Sequence, residues 1–450
     1  MPRLALVLVA SLATVLPATA QGAEVVVRMR PGASGAQAHA AARAAGATAV
    51  RTASGHRIVL ALPAGRSVDG AVASLRRRPA VAAASPRLIA RIAGSGPDDT
   101  GLASRAAGAA GEWRRAQWDL TGPFGIRAPA AWREARRAGR APGRGVVVAL
   151  LDTGLAYADD PPMRRSPDIA RARVVPGYDF VDDDPFPLDA NGHGTFIASE
   201  VGAAADNGYG MVGVAYAATL MPVRVLDAGG IGSGPRIARG MRWAVDHGAR
   251  VLNVSIELYD TLSDQAESMT ADPSIRGAVR YAARHGAIVV AATGNSGSSR
   301  VPSRRLGSKI VYVGGTTEHG CLGEYSDHGP GMDLVAPGGG ADALVPGDPR
   351  CRLDTIGRNV LQISFRPSSP GVFRIVRDRD REPGLHGTSM AAPHVTGVVA
   401  LMLAARTLGA YPSPAAIGER LRDTAVDLGP PGFDGFYGAG LLDAARALSG

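Results

Sequence analysis

Four residues in distant parts of the chain carry the side chains that acyl transfer requires. Asp152 directly follows the apolar run Val146–Leu151, so its carboxylate falls at the carboxyl end of a central strand, where open parallel sheets hold their reacting groups. His193 lies in Asn191-Gly192-His193-Gly194-Thr195, after the acidic turn Asp182–Asp184 and Asp189 and at the mouth of a helical stretch. Ser389, in Gly387-Thr388-Ser389-Met390-Ala391-Ala392-Pro393-His394, opens an apolar helix that runs to about Arg406. A serine hydroxyl is a poor nucleophile until a neighbouring base takes its proton and donors hold the developing oxyanion. The start of a buried helix supplies an unpaired N–H and a favourable dipole. Asn295, in Ala291-Ala292-Thr293-Gly294-Asn295-Ser296-Gly297, follows a strand and can aim an amide at the same oxyanion.

Taken singly, each has a plainer reading: a capping Asp, a solvated His, an N-cap Ser, a turn Asn. Several other chemistries drop out. Asp152-Thr153-Gly154 has the form of an aspartic-protease motif, but such a site needs a second carboxylate close by to share its proton, and the other Asp-Thr-Gly, Asp99-Thr100-Gly101, lies in the Gly- and Ala-rich stretch 93–111 with no apolar strand before it. There is no His-Glu-x-x-His or Cys-x-x-Cys. The run Gly208–Gly213 fits G-x-G-x-x-G but follows a helical stretch rather than a strand, so a dinucleotide site is rejected.

The elements that must position these residues are short, nearly unbroken apolar runs, as in strands buried on both faces: Val146–Leu151, Leu220–Leu226, Val251–Ser255, Ala287–Thr293, Ile310–Gly314 and Asp333–Ala336. Between them Gly194–Ala204, Ser233–His247 and Pro273–His285 have helical spacing. Strand alternating with helix predicts an α/β domain over 112–450, a parallel sheet with helices on both faces. Before it, residues 21–92 read β-α-β-β-α-β, which predicts a small α+β, ferredoxin-like module. Residues 93–111 are Gly, Ala, Ser and Asp without apolar period, an exposed linker open to cleavage.

The first 20 residues predict export: Arg3, an apolar stretch from Leu4 to about Leu16, and Ala18-Thr19-Ala20 as the cleavage site. The product is then secreted, extracellular or periplasmic. No later segment is long enough to cross a membrane. In an oxidising compartment the only two cysteines, Cys321 and Cys351, are candidates for one disulfide, with two unrelated thiols as the alternative. Of 450 residues, 46% are hydrophobic and 20% charged, which is globular and not disordered. The net charge of +9 sits in residues 1–111, with 13 Arg against 4 acidic residues, and the remainder is neutral. That placement, with aromatics at only 5%, argues against nucleic acid as a partner.

Asp152, His193 and Ser389 occur in the order Asp, His, Ser used by subtilisin. Together with Val148–Gly154, Gly192–Thr195, Ala292–Asn295 and Gly387–His394, that order makes residues 112–450 resemble a subtilisin-like serine protease, a subtilase. The family ending is recognisable in Tyr437-Gly438-Ala439-Gly440-Leu441-Leu442-Asp443. The resemblance implies roles: His193 as general base and then acid, Asp152 holding its tautomer, the Asn295 amide and the Ser389 N–H binding the oxyanion. It also implies that Gly232-Ser233-Gly234 and Ser255-Ile256-Glu257 pair with substrate backbone, and that the N-terminal module is a propeptide, a folding aid and intramolecular inhibitor removed by self-cleavage within 93–111. The expected product is a monomeric secreted endopeptidase acting on polypeptides through an acyl-enzyme, with no cofactor for the chemistry and no membrane partner after processing. A folded but inactive peptide-binding relative, or a precursor held shut by its own propeptide, is the other reading.

The same resemblance places a structural calcium at Asp168 and the 206–211 loop, with Asn207 as a ligand. Three departures stand out. Phe196 replaces a second family His, Glu257 stands where a Gly usually lets substrate lie close, and Ile356–Glu382 is longer than usual before the serine, an expected hairpin beside the cleft. Glu257 either favours a basic substrate side chain or points outward into solvent.

Overall fold

The computed structural model describes residues 24–53, 57–63, 65–86, 113–169, 173–260, 265–267, 272–299, 301, 309–353, 355–375 and 384–449. The export signal and the 93–111 linker lie outside the described residues. The chain divides into two compact units, up to Ser95 and from Gly96, each taken by itself below.

The first unit runs β1 (Glu24–Met29), α1 (Gly35–Ala45), β2 (Ala49–Ala53), β3 (Arg57–Ala61), α2 (Val68–Arg76) and β4 (Val81–Pro86). Its sheet is ordered β2-β3-β1-β4 with every pairing antiparallel. Alternate residues of a strand face the same side, so Val25, Val27 and Met29 enter one core with Ala41, Ala45, Val72 and Leu75. Both helices start on a serine: Ser34 forms a reciprocal capping box with Gln37, and Ser67 accepts from the Gly70 N–H. The unit thus has its own core and its own helix starts, as a small domain needs.

The second unit begins with α3 (Trp113–Ala116), α4 (Trp118–Thr121) and α5 (Ala128–Arg137), then β5 (Val147–Asp152), β6 (Arg173–Val174), β7 (Tyr178–Asp179), α6 (His193–Gly202), β8 (Thr219–Arg224), α7 (Gly234–Asp246) and β9 (Val251–Val254). A small antiparallel pair follows, β10 (Leu258–Asp260) with β11 (Gln265–Glu267), then α8 (Pro273–Arg284), β12 (Ile288–Ala292), β13 (Ile310–Thr316) and β14 (Leu334–Pro337). A second antiparallel pair, β15 (Ile363–Ser364) with β16 (Arg374–Ile375), precedes α9 (Thr388–Ala405), α10 (Pro414–Asp423) and α11 (Ala444–Leu448). The main sheet is ordered β14-β13-β12-β9-β5-β8-β6, with β7 also paired to β8, and all its pairings are parallel.

Strand alternation explains why the central runs are apolar throughout. In β5, Val148 and Leu150 enter one core with Phe196, Val395 and Leu401, while Ala149 and Leu151 enter the other with Ile237, Met241 and Ile275. In β12, Ile288 and Val290 go one way, Val289 and Ala291 the other. Helices α6 and α9 therefore cover one face and α7 and α8 the opposite face. Contrary to the expectation that no later segment is long enough to cross a membrane, α9 has the length and hydropathy of a span, but it is buried around most of its circumference in the first core, which is why it is so apolar. The departure at Phe196 is absorbed here, since its ring is fully buried in that core. Cys321 and Cys351 are joined as a disulfide across 30 residues of sequence, in a separate cluster with Leu322, Tyr437 and Leu441.

Candidate active site

Parallel strands deliver their carboxyl ends to one edge of the sheet, and there the sequence-selected residues meet. Asp152 is the last residue of β5 and is 1% exposed. Its Oδ1 accepts from the Thr153 N–H and lies 2.7 Å from His193 Nδ1. A carboxylate can only accept here, so Nδ1 carries the proton and a neutral ring presents Nε2 as the free base. Burial alone lowers the His193 pKa, but the Asp152 charge, its hydrogen bond and then the Asp189 charge outweigh it, and the pKa lies above the ordinary 6.5.

His193 is the first residue of α6, one position earlier than the periodicity indicates, because Gly192 takes the N-cap place with φ 101°. The turn before it is organised by Asp189, which is 1% exposed. Its Oδ1 accepts from Thr153 Oγ1 and from the N–H groups of Asn191 and Gly192, and its Oδ2 from the Thr195 N–H and hydroxyl. Thr153 in turn accepts the Gly194 N–H, so the segments carrying Asp152 and His193 are stitched together through one buried carboxylate. Sequence reasoning saw Asp189 only as part of an acidic turn. Its place four residues before the His and six before a Thr is the signal that was available.

Ser389 is the second residue of α9, where the N–H has no carbonyl within the helix to bond. Its hydroxyl donates to the Ser255 carbonyl at 3.3 Å, and Ser255 Oγ donates back to the Ser389 carbonyl at 2.9 Å. Asn253 Nδ2 donates to Ser255 Oγ, and Asn253 Oδ1 accepts from Thr396 Oγ1, which pins the end of β9 against α9. No hydrogen bond between Ser389 and His193 is present among the described residues. Asn295 follows β12, and its Oδ1 accepts both the N–H (2.8 Å) and the hydroxyl (3.0 Å) of Thr388. With Oδ1 so occupied, Nδ2 is left to face away from Thr388 as a fixed donor.

Of the expected substrate strands, Ser255, Ile256 and Glu257 continue β9 beyond Val254. Gly232 and Ser233 precede α7 with Ser233 extended (φ −125°, ψ 149°), but Gly234 is already the first helical residue, so that extended segment ends at Ser233. Glu257 Oε1 accepts from Ser296 Oγ at 3.1 Å. A Cβ on Gly294 would stand 2.8 Å from Glu257 Oε1 and 2.3 Å from Asp327 Oδ2, so two carboxylates flank the residue before Asn295.

Asp168 is fully buried and accepts from the Met211 N–H (2.9 Å) and Asn207 Nδ2 (3.1 Å). Gly210, at φ 65°, wraps so closely that a Cβ there would lie 2.2 Å from the carboxylate. One buried carboxylate and one amide in a tight loop fit a hard cation in kind, although as folded the loop turns N–H groups toward Asp168. Among the described residues no cluster of three or more His, Cys, Asp or Glu converges on a metal position.

A second buried set escaped the sequence reading. His394 of α9 donates Nδ1–H to the Met390 carbonyl at 2.8 Å and faces Asp119 of α4 through Nε2 at 3.0 Å, with Glu200 Oε1 of α6 3.6 Å from Nδ1. Burial, and then the Asp119 charge, pushes the Glu200 carboxyl well above its usual range.

The Subtilase family model matches residues 143–440, and the Fervidolysin N-terminal prodomain model matches residues 22–87. Over 328 residues the chain is 32% identical to Subtilisin Savinase of Lederbergia lenta, covering 72% of this chain and 98% of that one. It is 32% identical to Thermitase of Thermoactinomyces vulgaris over 62% of this chain and 81% of that one. Among solved structures, a protease from Pseudoalteromonas arctica is similar with a TM-score of 0.56 at 27% identity, over 79% of this chain and 99% of that one. A lanthipeptide protease is similar with a TM-score of 0.54 at 26% identity, over 75% and 93%. A parallel sheet whose carboxyl edge gathers Asp152, His193, Asn295 and Ser389, and matches of this extent, lead to one conclusion: the chain belongs to the subtilase family, a serine-type endopeptidase with an N-terminal prodomain.

Proposed function

We propose that the protein is a secreted endopeptidase whose nucleophile is Ser389, activated by His193 and oriented by Asp152, with Asn295 Nδ2 and the Ser389 N–H as the oxyanion hole. The observation that carries this reading is the 2.7 Å contact of His193 Nδ1 with buried Asp152, which leaves Nε2 as the base. The Ser389 proton passes to Nε2 as Oγ attacks the scissile carbonyl, and Nε2 returns it to the leaving amine. Water then repeats the sequence on the acyl-enzyme. Because the chemistry uses neutral His193, kcat/KM should rise with pH through a midpoint above 6.5, in the direction its raised pKa sets. A fluorophosphonate probe tests the assignment: one adduct per molecule, mapped to Ser389, supports it, and a folded protein that binds peptide yet takes no label would make it an inactive binding relative.

The prodomain is proposed as the enzyme's own inhibitor, released by cleavage within 93–111, and the mature enzyme as a monomer. Polypeptides are the proposed substrates. Glu257, bonded to Ser296 beside Gly294, is proposed to favour a basic side chain at the cleaved residue. Glu257→Gln should then reduce the ratio of kcat/KM for Arg over Leu substrates by about tenfold, given about 1–3 kcal/mol for such a paired contact. An unchanged ratio would return Glu257 to an outward, solvated role.

A calcium ion held by Asp168 and Asn207 is proposed as structural, supplying positive charge to a buried carboxylate. Adding calcium to chelated protein should raise the melting temperature in a concentration-dependent way, following the logarithm of free ion over its dissociation constant. Asp168→Asn should abolish that response.

A further inference from the structure

The insertion before the catalytic-serine helix is more than a surface decoration. At its base Val360 and Leu385 exchange backbone hydrogen bonds, each 3.0 Å, only four residues before Ser389. Its first strand, β15, then reaches the residue in front of His193. Ser364, fully buried, donates its hydroxyl to the Gly192 carbonyl at 2.6 Å. The Phe365 carbonyl lies so close that a Cβ on Gly192 would stand 2.1 Å from it. Beyond the turn, Gly371 packs against the 162–164 segment, where an added Cβ would stand 3.0 Å from both Pro162 O and Arg164 Cγ. The Phe365 and Phe373 rings, 5.6 Å apart and nearly perpendicular, hold the two limbs together.

This stretch therefore adjoins His193 directly and leads into α9, without supplying a reacting group. Its contact at Gly192 is the most direct. Asp189 fixes the Gly192 N–H and Ser364 fixes its carbonyl, and the Gly192 carbonyl also receives the Phe196 N–H of the first turn of α6. With both polar groups of the N-cap residue held, the first residue of the helix has little freedom, and that residue is His193.

We propose that Ser364 is a positioning residue for His193: its hydroxyl on the Gly192 carbonyl sets the direction of the imidazole, and so the geometry of proton transfer between Ser389 and the leaving amine. This rests on His193 acting as the base. A small misalignment of a proton-transfer group lowers the rate steeply while leaving substrate affinity nearly intact.

The test uses the processed enzyme and a peptide amide substrate. Ser364→Ala should lower kcat by about ten- to a hundredfold with KM within about twofold, and should move the acid limb of the pH profile to lower pH as the bond to Asp152 loosens. Ser364→Thr, which keeps the hydroxyl, should recover most of the rate. A fall in melting temperature with kcat and the acid limb unchanged would make Ser364 merely structural and overturn the proposal. So would an Ala variant whose loss lies wholly in KM. Should Ser364→Thr fail to fold, the Ala variant's kcat and pH limb decide alone. Fluorophosphonate labelling of the unmodified enzyme separates the two readings. A labelled, active enzyme with an indifferent Ser364 loses only this inference, whereas an unlabelled one loses the triad assignment beneath it.

Discussion

Replacing Ser389 by alanine should lower kcat by about a millionfold, abolish fluorophosphonate labelling and leave the precursor uncut, while the melting temperature stays within a few degrees. The magnitude is the one characteristic of subtilisin-type triads. What this structure adds is the reason the fold should survive. The Ser389 hydroxyl makes one long bond to the Ser255 carbonyl, whereas the return bond from Ser255 Oγ uses the Ser389 backbone carbonyl and is kept in alanine. Members of such a triad act as a unit, so on the proposed assignment Ser389→Ala combined with His193→Ala should be no slower than either alone. Asp152→Asn should cost less, about ten-thousandfold. The amide can donate to Nδ1, which drives the ring proton to Nε2 and removes the base without displacing the ring. A Ser389→Ala protein that still cleaves its own chain would show that another group is the nucleophile.

How much of this was legible in the sequence follows from where the information is local. The central strands and their edge were readable because each buried strand is a continuous apolar run, and a functional residue at its end breaks that run abruptly, as Asp152 does after Leu151. Ser389 and His193 stood out through the glycines and small residues around them, which the structure shows as close approaches: a Cβ on Gly194 would stand 2.2 Å from the Gly154 carbonyl. Contacts between segments far apart in sequence were not readable. Asp189 is one of several acidic residues in its stretch until Thr153 and Thr195 are folded onto it. The same holds for Glu200, an acid within a helical stretch that nothing local marks, which is 1% exposed and faces Asp119 and His394. The length of 356–382 drew attention to that stretch in the sequence, but only the fold places Ser364 on the Gly192 carbonyl.

The proposed oxyanion donor, Asn295, gives the second large effect, and its neighbours allow binding of the transition state to be separated from support of the fold. Asn295→Ala removes Nδ2, and kcat should fall by about a hundred- to a thousandfold, or about 3–4 kcal/mol of transition-state stabilisation, with KM nearly unchanged. The substitution also removes Oδ1, which accepts the Thr388 N–H and hydroxyl in the first turn of α9, so a further loss of about 1 kcal/mol of stability should accompany it. Asn295→Asp distinguishes the two. Its carboxylate keeps an acceptor for Thr388 and retains the stability, but it sets a negative charge where the oxyanion develops, so kcat should fall at least as far as in the alanine variant. The opposite ordering, with Asp more active than Ala, would mean that Asn295 serves mainly to hold Thr388 and that the Ser389 N–H stabilises the oxyanion with some other donor.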